Sequence, residues 1–190
     1  MSTHSNYIPQ TSRKRVNIEI ERRFFVNPLG IKDLIFEKSL HITQYYLDDY
    51  SYVGNVFEIY GQRITFDDTM FHQAKVWRLR KIDEQFWLSG KSEKIDSLAL
   101  EFERKISEKK YNLIQKNLAV NPIEKTRHHW RNGEHLWEID VFEDELSPLI
   151  IAEIELKNKG ENFEIPLWIE REITNEKQWS NAQLFAKINL

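Results

Sequence analysis

Charged residues recur at every second position in several separate segments of the chain. The acidic pairs are Glu19-Ile20-Glu21, Glu101-Phe102-Glu103, Glu138-Ile139-Asp140 and Glu153-Ile154-Glu155, and the basic pairs are Arg78-Leu79-Arg80 and Lys125-Thr126-Arg127. Single charges extend the set at Arg23 and Lys91. A period of two places both members of a pair on one face of a β-strand and the residue between them on the other face. Several such strands predict a cavity lined with acid and base.

The combination of cations with carboxylates indicates a site for a chain of phosphates together with a metal ion. Guanidinium groups match phosphate oxygens through parallel hydrogen bonds. Carboxylates alone would repel phosphate, so their presence beside the cations implies a hard divalent ion that prefers oxygen ligands, either Mg²⁺ or Mn²⁺. Two glutamates on one strand can serve one ion only if both point into a shared cavity.

A sheet with one solvent-exposed face is the alternative interpretation. A single acidic pair is usually such a face, which is how we interpret Glu170-Arg171-Glu172, and an Arg-x-Arg pair more often forms surface ion pairs. The ordered set favours the cavity, because an exposed face normally mixes Thr, Ser, Gln and Lys. In this chain the acidic pairs and the basic pairs occupy different segments.

The composition excludes several classes of function. The chain has 190 residues, a net charge of −3 and no cysteine, which excludes disulfide frameworks, thiolate zinc sites and cysteine nucleophiles. The weak net charge gives no sign of nucleic acid as a partner, and no apolar run reaches the roughly 20 residues of a membrane span. The polar start of the chain lacks the apolar core of a signal peptide, so we expect a cytoplasmic protein.

We expect residues 1–14 to form a flexible arm and residues 15–190 to form a single domain. Strands are predicted over residues 16–26, 42–47, 76–82, 85–91, 98–106, 123–131, 135–142, 150–156 and 168–173. Helices are predicted over residues 29–40, from an N-cap at Ser107 to about 118, and from Ser180 or Asn181 to about 188. Asp83-Glu84 and Asn132-Gly133 predict tight turns. The aromatic-rich residues 48–75 fit a hairpin, a lid or a contact surface.

This organisation predicts an α+β, mainly β fold. Many strands with few helices and one shared charge pattern favour a closed or nearly closed antiparallel β-barrel, a tunnel with helices packed outside. The charged pairs would then line the interior of the tunnel.

The ordered set of charges resembles the CYTH superfamily, also called triphosphate tunnel metalloenzymes. Glu19-Ile20-Glu21-Arg22-Arg23 is similar to the family's ExExK signature. The chain also resembles the family's other strands, in the correct order, over residues 18–186. The segments that carry this resemblance are Arg78-Leu79-Arg80, Leu88-Ser89-Gly90-Lys91, Glu101-Phe102-Glu103, Lys125-Thr126-Arg127, Asp140 and Glu153-Ile154-Glu155. Arg23 replaces the final lysine of the signature, which keeps phosphate binding but removes a group that could lose a proton near neutral pH. Residues 48–75 are longer than expected and leave the identity of the substrate open.

The resemblance implies metal-dependent hydrolysis of a triphosphate, with inorganic tripolyphosphate as the leading substrate. The implied metal ligands are Glu19, Glu21, Asp140, Glu153 and Glu155, and the implied phosphate-binding residues are Arg23, Arg78, Arg80, Lys91, Lys125 and Arg127. Catalytic roles are assigned to Glu21, Lys91 and Arg23, while Glu101 and Glu103 would bind metal or orient the arginines. The alternatives are an adenylate cyclase, a thiamine triphosphatase and a non-catalytic module that binds polyphosphate or nucleotides. The expected partner is a small molecule containing a triphosphate, without nucleic acid or membrane, and a homodimer is one possible assembly.

Overall fold

The computed structural model describes residues 15–18, 20–93, 98–158 and 160–190, and there the chain forms a mainly β, α+β structure. The predicted arm over residues 1–14 and the acidic residue Glu19 lie outside the described residues. The strands are β1 (Arg15–Ile18), β2 (Ile20–Val26), β3 (Lys38–Leu47), β4 (Ser51–Val53), β5 (Val56–Ile59), β6 (Gln62–Thr65), β7 (Ala74–Ile82), β8 (Gln85–Ser92), β9 (Leu98–Ile106), β10 (Ile123–Asn132), β11 (His135–Phe142), β12 (Ile150–Leu156) and β13 (Ile169–Glu172). The helices are α1 (Glu108–Gln115) and α2 (Asn181–Ile188).

The large sheet is antiparallel and has the strand order β1-β9-β8-β7-β3-β10-β11-β12-β2-β13. Strands β1 and β2 follow each other in the chain on either side of Glu19. Strand β1 pairs with β9, whereas β2 pairs with β12. One continuous segment of the chain is therefore attached to strands that are far apart in the order of the sheet.

The apolar residues between the charged pairs form the core of the structure. Leu79, Phe102, Ile139 and Ile154 are each 5% exposed or less. Full burial of such a side chain stabilises the fold by about 1.5–3 kcal/mol. A register slip of one residue would exchange the two faces of a strand, so this burial also fixes the charged residues on the opposite face.

The two helices begin where the sequence predicts. The Ser107 hydroxyl accepts a hydrogen bond from the Lys110 backbone N–H at the start of α1, and the Ser180 hydroxyl accepts one from Gln183 at the start of α2. Helix α1 packs against the apolar face of the sheet and ends at Gln115, earlier than predicted. No helix in the described part of the chain is both long and apolar enough to span a bilayer.

The prediction of a helix over residues 29–40 is wrong, because turns and irregular backbone occupy this segment before β3 begins at Lys38. Ile31 is buried whereas Ile35 is 90% exposed, so the apolar residues do not share one buried face. The Asn27 side-chain oxygen accepts a hydrogen bond from Leu29 N, and its carbonyl accepts one from Gly30 N. Gly30 packs so closely that an added Cβ would lie 2.6 Å from Cβ of Trp168.

The unassigned residues 48–75 form a second, three-stranded sheet of β4, β5 and β6, followed by a 3-10 turn over Thr69–Gln73. Its aromatic side chains surround Trp77 of β7, with ring centroids 4.5 Å away for Phe57 and 5.3 Å away for Phe66. The Trp77 indole N–H donates a hydrogen bond of 2.9 Å to the Tyr52 hydroxyl. Of the three predicted alternatives, the hairpin is the one that the structure shows.

Candidate active site

A cavity of about 690 Å³ lies against the charged face of the large sheet. Strands β2, β3, β7, β8, β9, β10, β11 and β12 line it together with the first turn of α2. The predicted phosphate-binding residues all line this cavity: Arg23, Arg78, Arg80, Lys91, Lys125 and Arg127. Five predicted acidic residues line it as well: Glu21, Glu101, Glu103, Glu153 and Glu155. The strand pattern thus brings residues from distant segments into one site.

Asp140 lies behind the cavity and holds two of the cations in place. It is 1% exposed and faces Arg127 across the β10–β11 pair. Arg127 donates two hydrogen bonds to it, from Nε to Oδ1 (2.6 Å) and from Nη2 to Oδ2 (2.7 Å), and the Lys125 ammonium also contacts Oδ2. Because both carboxylate oxygens are bound by cations, these contacts favour a positioning role, and metal binding by Asp140 stays a prediction.

Burial and charge shift the pKa values of this cluster in different directions. Burial alone would raise the pKa of Asp140, but Arg127 and Lys125 bring it well below its ordinary value. Burial lowers the pKa of Lys125, and the neighbouring Asp140 carboxylate opposes that effect. Burial would also lower the pKa of Arg127, but Asp140 raises it well above the ordinary value. Asp140 is therefore a fixed negative charge that keeps the cations beside it oriented toward the cavity.

Glu153 connects β2 to β10 through two arginines. Its Oε1 accepts a hydrogen bond of 2.9 Å from Arg23 Nε, and its Oε2 accepts one of 3.2 Å from Arg127 Nη2. The Arg23 Nη2 group also donates to the carbonyl of Trp179, 2.7 Å away, just before α2. Arg23 is thereby fixed from two sides, and each carboxylate oxygen of Glu153 accepts a hydrogen bond from a cation.

The cations of β7 and β8 face the acids of β9. Arg80 Nη2 donates a hydrogen bond of 2.7 Å to Glu103, and the Lys91 ammonium lies 3.9 Å from Glu101. Burial, and then the nearby charge of Arg78, lower the pKa of Arg80 to about 10. The Arg78 side chain forms neither an ion pair nor a hydrogen bond with any of the described residues. This part of the cavity thus carries positive charge that an anionic ligand would stabilise.

Glu21 and Glu155 are the acids best placed for a metal ion. They face each other directly across the β2–β12 pair, and both line the cavity. Like charges opposite each other on neighbouring strands destabilise a sheet, and a divalent cation between them relieves that repulsion. In the described parts of the chain, however, no three Asp, Glu or His side chains are grouped so that they could hold a metal ion. The pair fits a hard cation as part of a ligand set rather than as a complete one.

Sequence reasoning missed the site role of several lining residues, among them Glu138, which pairs with Arg127, two neutral side chains of β3, and the first turn of α2. Gln44 and Tyr46 of β3 line the cavity, as do Ser180, Asn181 and Ala182. Gln44 is 2% exposed, and its Nε2 forms no well-aligned hydrogen bond among the described residues beyond a weak contact of the side chain with Tyr46. The spacing of two between Gln44 and Tyr46 was a usable signal, but a search for charged pairs passes over it. Helix α2 was expected outside the sheet, yet its amino end lies at the cavity.

The antiparallel sheet and its charged cavity are the features of a protein that binds phosphate chains. Over 115 residues the chain is 34% identical to an inorganic triphosphatase of Acetivibrio thermocellus, and the aligned residues make up 60% of this chain and 74% of that protein. Over 114 residues it is 30% identical to an inorganic triphosphatase of Nitrosomonas europaea, covering 58% and 75%. The solved structure of the inorganic triphosphatase NE1496 has the same fold, with a TM-score of 0.62, 24% identity, and coverage of 94% of this chain and 100% of that one. No protein-family model matches the chain.

The chain belongs to the CYTH superfamily. The resemblance that the ordered acidic and basic pairs predicted is thereby confirmed.

Proposed function

We propose that the protein hydrolyses inorganic tripolyphosphate to orthophosphate and pyrophosphate in the charged cavity. The convergence of Arg23, Arg78, Arg80, Lys91, Lys125 and Arg127 on one cavity carries this proposal. A linear triphosphate spreads its negative charge over many oxygens, which these cations match from several strands at once. The two relatives that bear the name inorganic triphosphatase support the same substrate.

The cavity favours an inorganic substrate over a nucleotide. Of the Phe, Tyr and Trp side chains described, Tyr46 is the one that lines it. The Tyr46 ring lies against Phe185 of α2 in a tilted arrangement, with 5.3 Å between centroids. The cavity therefore offers an adenine or thiamine group little aromatic surface to stack on. The cyclase and thiamine triphosphatase alternatives consequently rank below the tripolyphosphatase.

The family is generally metal-dependent, and we assign the ion to the carboxylates of Glu21 and Glu155. Glu19, two residues before Glu21, remains a predicted further ligand, whereas Glu153 serves mainly to orient Arg23 and Arg127. When bound, Mg²⁺ or Mn²⁺ would neutralise phosphate oxygens and polarise a water molecule.

The residues of the chain can perform the remaining steps of an in-line displacement. Arg78, Arg80 and Lys125 hold the phosphate chain, and water attacks the terminal phosphorus while the bond to the bridging oxygen breaks. A cavity carboxylate, for which Glu21 is the candidate, accepts the proton of the attacking water. Lys91 and Arg23 stabilise the negative charge that grows on the oxygens in the transition state.

We also propose that the large sheet closes into a tunnel around the cavity. The support is the split pairing of the segment 15–26, whose first part pairs with β9 and whose second part pairs with β12. A tunnel of this kind would exclude bulk water, and the lower dielectric would strengthen every interaction between cation and phosphate.

Identification of the products tests the function directly. The purified protein would be incubated with tripolyphosphate or with ATP, with Mg²⁺ or Mn²⁺, and the products separated by anion-exchange chromatography. We expect orthophosphate and pyrophosphate from tripolyphosphate and no cyclic AMP from ATP. Cyclic AMP as the main product, or binding of tripolyphosphate without turnover in either metal, would overturn the proposal.

A further inference from the structure

We propose that the first turn of α2 is a phosphate subsite of the cavity, formed by the Asn181 carboxamide and the backbone N–H groups of Asn181 and Ala182. This inference rests on the proposed function, because the ligand is a phosphate group of tripolyphosphate. Its first support is position, since Ser180, Asn181 and Ala182 all line the cavity. The first N–H groups of a helix have no acceptor within the helix, and the helix dipole adds positive potential there.

The contacts of the turn join it to the phosphate-binding strands. The Asn181 side-chain oxygen lies 3.5 Å from the Lys125 ammonium, and the Trp179 carbonyl accepts a hydrogen bond from Arg23. One cation assigned to phosphate thus contacts this turn, and a second contacts the residue just before its N-cap. A phosphate group held by Lys125 would be within reach of donors from α2, which a helix packed on the outside could not supply.

A buried donor without a well-formed hydrogen bond points independently to a ligand in the same cavity. Gln44 Nε2 forms no well-aligned hydrogen bond with the described residues, and the Gln44 side chain makes only a weak contact with the Tyr46 hydroxyl, although Gln44 is almost fully buried and lines the cavity. A buried donor without a good acceptor is costly, so a ligand oxygen is the expected acceptor. Gln44 is two residues from Tyr46 on the same face of β3, and Tyr46 contacts Phe185, one helical turn after Asn181. The inner face of β3 and the cavity side of α2 therefore face the same space.

Through this subsite, helix α2 takes part in substrate binding and does not only line the cavity. A phosphate group bound to its first turn would hold the helix against β3 and β10. Asn181 and Gln44 would then contribute neutral donors, which unlike Lys125 do not depend on pH. Substrate affinity should respond to charge at Asn181 but not to charge elsewhere on the same helical turn.

A pair of matched variants tests this charge dependence. Asn181→Asp places a carboxylate in the subsite, where it would repel phosphate and compete for Lys125, while an acid in the first turn leaves the helix stable. Gln183→Glu makes the same charge change on the exposed side of that turn. We expect the KM for tripolyphosphate to rise about 10-fold or more in Asn181→Asp and to change less than about twofold in Gln183→Glu. Equal KM values in the two variants would overturn the subsite.

Hydrogen exchange on the unmodified protein gives a readout that needs no turnover. Amide exchange would be compared with and without tripolyphosphate in a chelator, so that no divalent ion is present. Slower exchange in both β10 and the first turn of α2 is the expected result. Slower exchange in β10 without any change in α2 would overturn the subsite and leave the proposed function intact. No change anywhere would mean that the cavity does not hold tripolyphosphate without a metal ion, which would overturn the subsite, while the identification of the products tests the proposed function separately.

Discussion

Replacing the buried Asp140 by asparagine is the perturbation that best separates a positioning residue from a metal ligand. The change keeps the shape of the side chain but removes the charge that both Lys125 and Arg127 contact. Breaking a buried ion pair by removing one partner costs about 3–5 kcal/mol, because the remaining charge is left uncompensated. We expect the free energy of unfolding of Asp140→Asn to fall by that amount at pH 7, measured by urea denaturation.

A matched control uses the same substitution in an exposed ion pair. Asp67 lies 3.0 Å from Arg104, and its side chain is 54% exposed. Such a surface pair contributes at most about 1 kcal/mol, so Asp67→Asn should be close to the unmodified protein. A loss in Asp140→Asn no larger than that of Asp67→Asn would refute the account of the buried cluster.

The same variant predicts how stability depends on pH. The pKa of Asp140 is lowered in the folded state, so its contribution is complete above the ordinary pKa of about 3.9 and is lost as the pH falls below that value. The unmodified protein should therefore lose stability on acidification more steeply than Asp140→Asn. Parallel acid profiles for the two proteins would contradict the assignment.

Kinetics distinguish the two roles of Asp140. A positioning residue acts through Lys125 and Arg127, so its loss should raise the KM for tripolyphosphate while the metal concentration for half-maximal activity stays unchanged. If Asp140 were a metal ligand, that metal concentration would rise instead, and the sequence-based prediction would be the correct one.

Further predictions concern the phosphate-binding residues and the core behind them. Arg80→Ala should raise the KM for tripolyphosphate about 10-fold or more, since a charged hydrogen bond contributes about 1.5–3 kcal/mol. The exposed Arg63→Ala is its control, and an unchanged KM in Arg80→Ala would remove Arg80 from the site. Gly90→Ala should lower stability by about 1–3 kcal/mol, because the new Cβ would lie 2.8 Å from the Trp77 ring. Gly160→Ala has no contact that close, so equal thermal stability of the two variants would contradict this packing.

The alternation of residue types predicted most of the sheet and the charged side of the site. Glu101-Phe102-Glu103 and Arg78-Leu79-Arg80 each combine a buried apolar residue with two charges on the other face, so periodicity and burial agree. In the segment 29–40 the spacing of apolar residues imitated a helix. The close approach of Gly30 to Trp168 there depends on a residue far along the chain, which local pattern cannot reveal.

The remaining parts of the site depend on tertiary contacts. Asp140 carries the same charge as the lining glutamates, and only its burial against Lys125 and Arg127 shows that it faces the cations rather than the cavity. Gln44 is neutral, so no charge pattern includes it. The first turn of α2 reaches the cavity because Leu184 and Phe185 pack near β3 and β10. Both strands are far from α2 in the sequence, so local pattern does not reveal this packing.

The rate of phosphate release from tripolyphosphate by Glu21→Gln tests the central claim most directly. Glu170→Gln, an exposed glutamate on β13, serves as the matched control. With Mg²⁺ or Mn²⁺, the unmodified protein and Glu170→Gln should release phosphate at similar rates, and a chelator should abolish both. Glu21→Gln should remain folded but show only the metal-free rate, because its carboxylate serves the cavity and not the core. Full metal-dependent activity in Glu21→Gln would contradict the account.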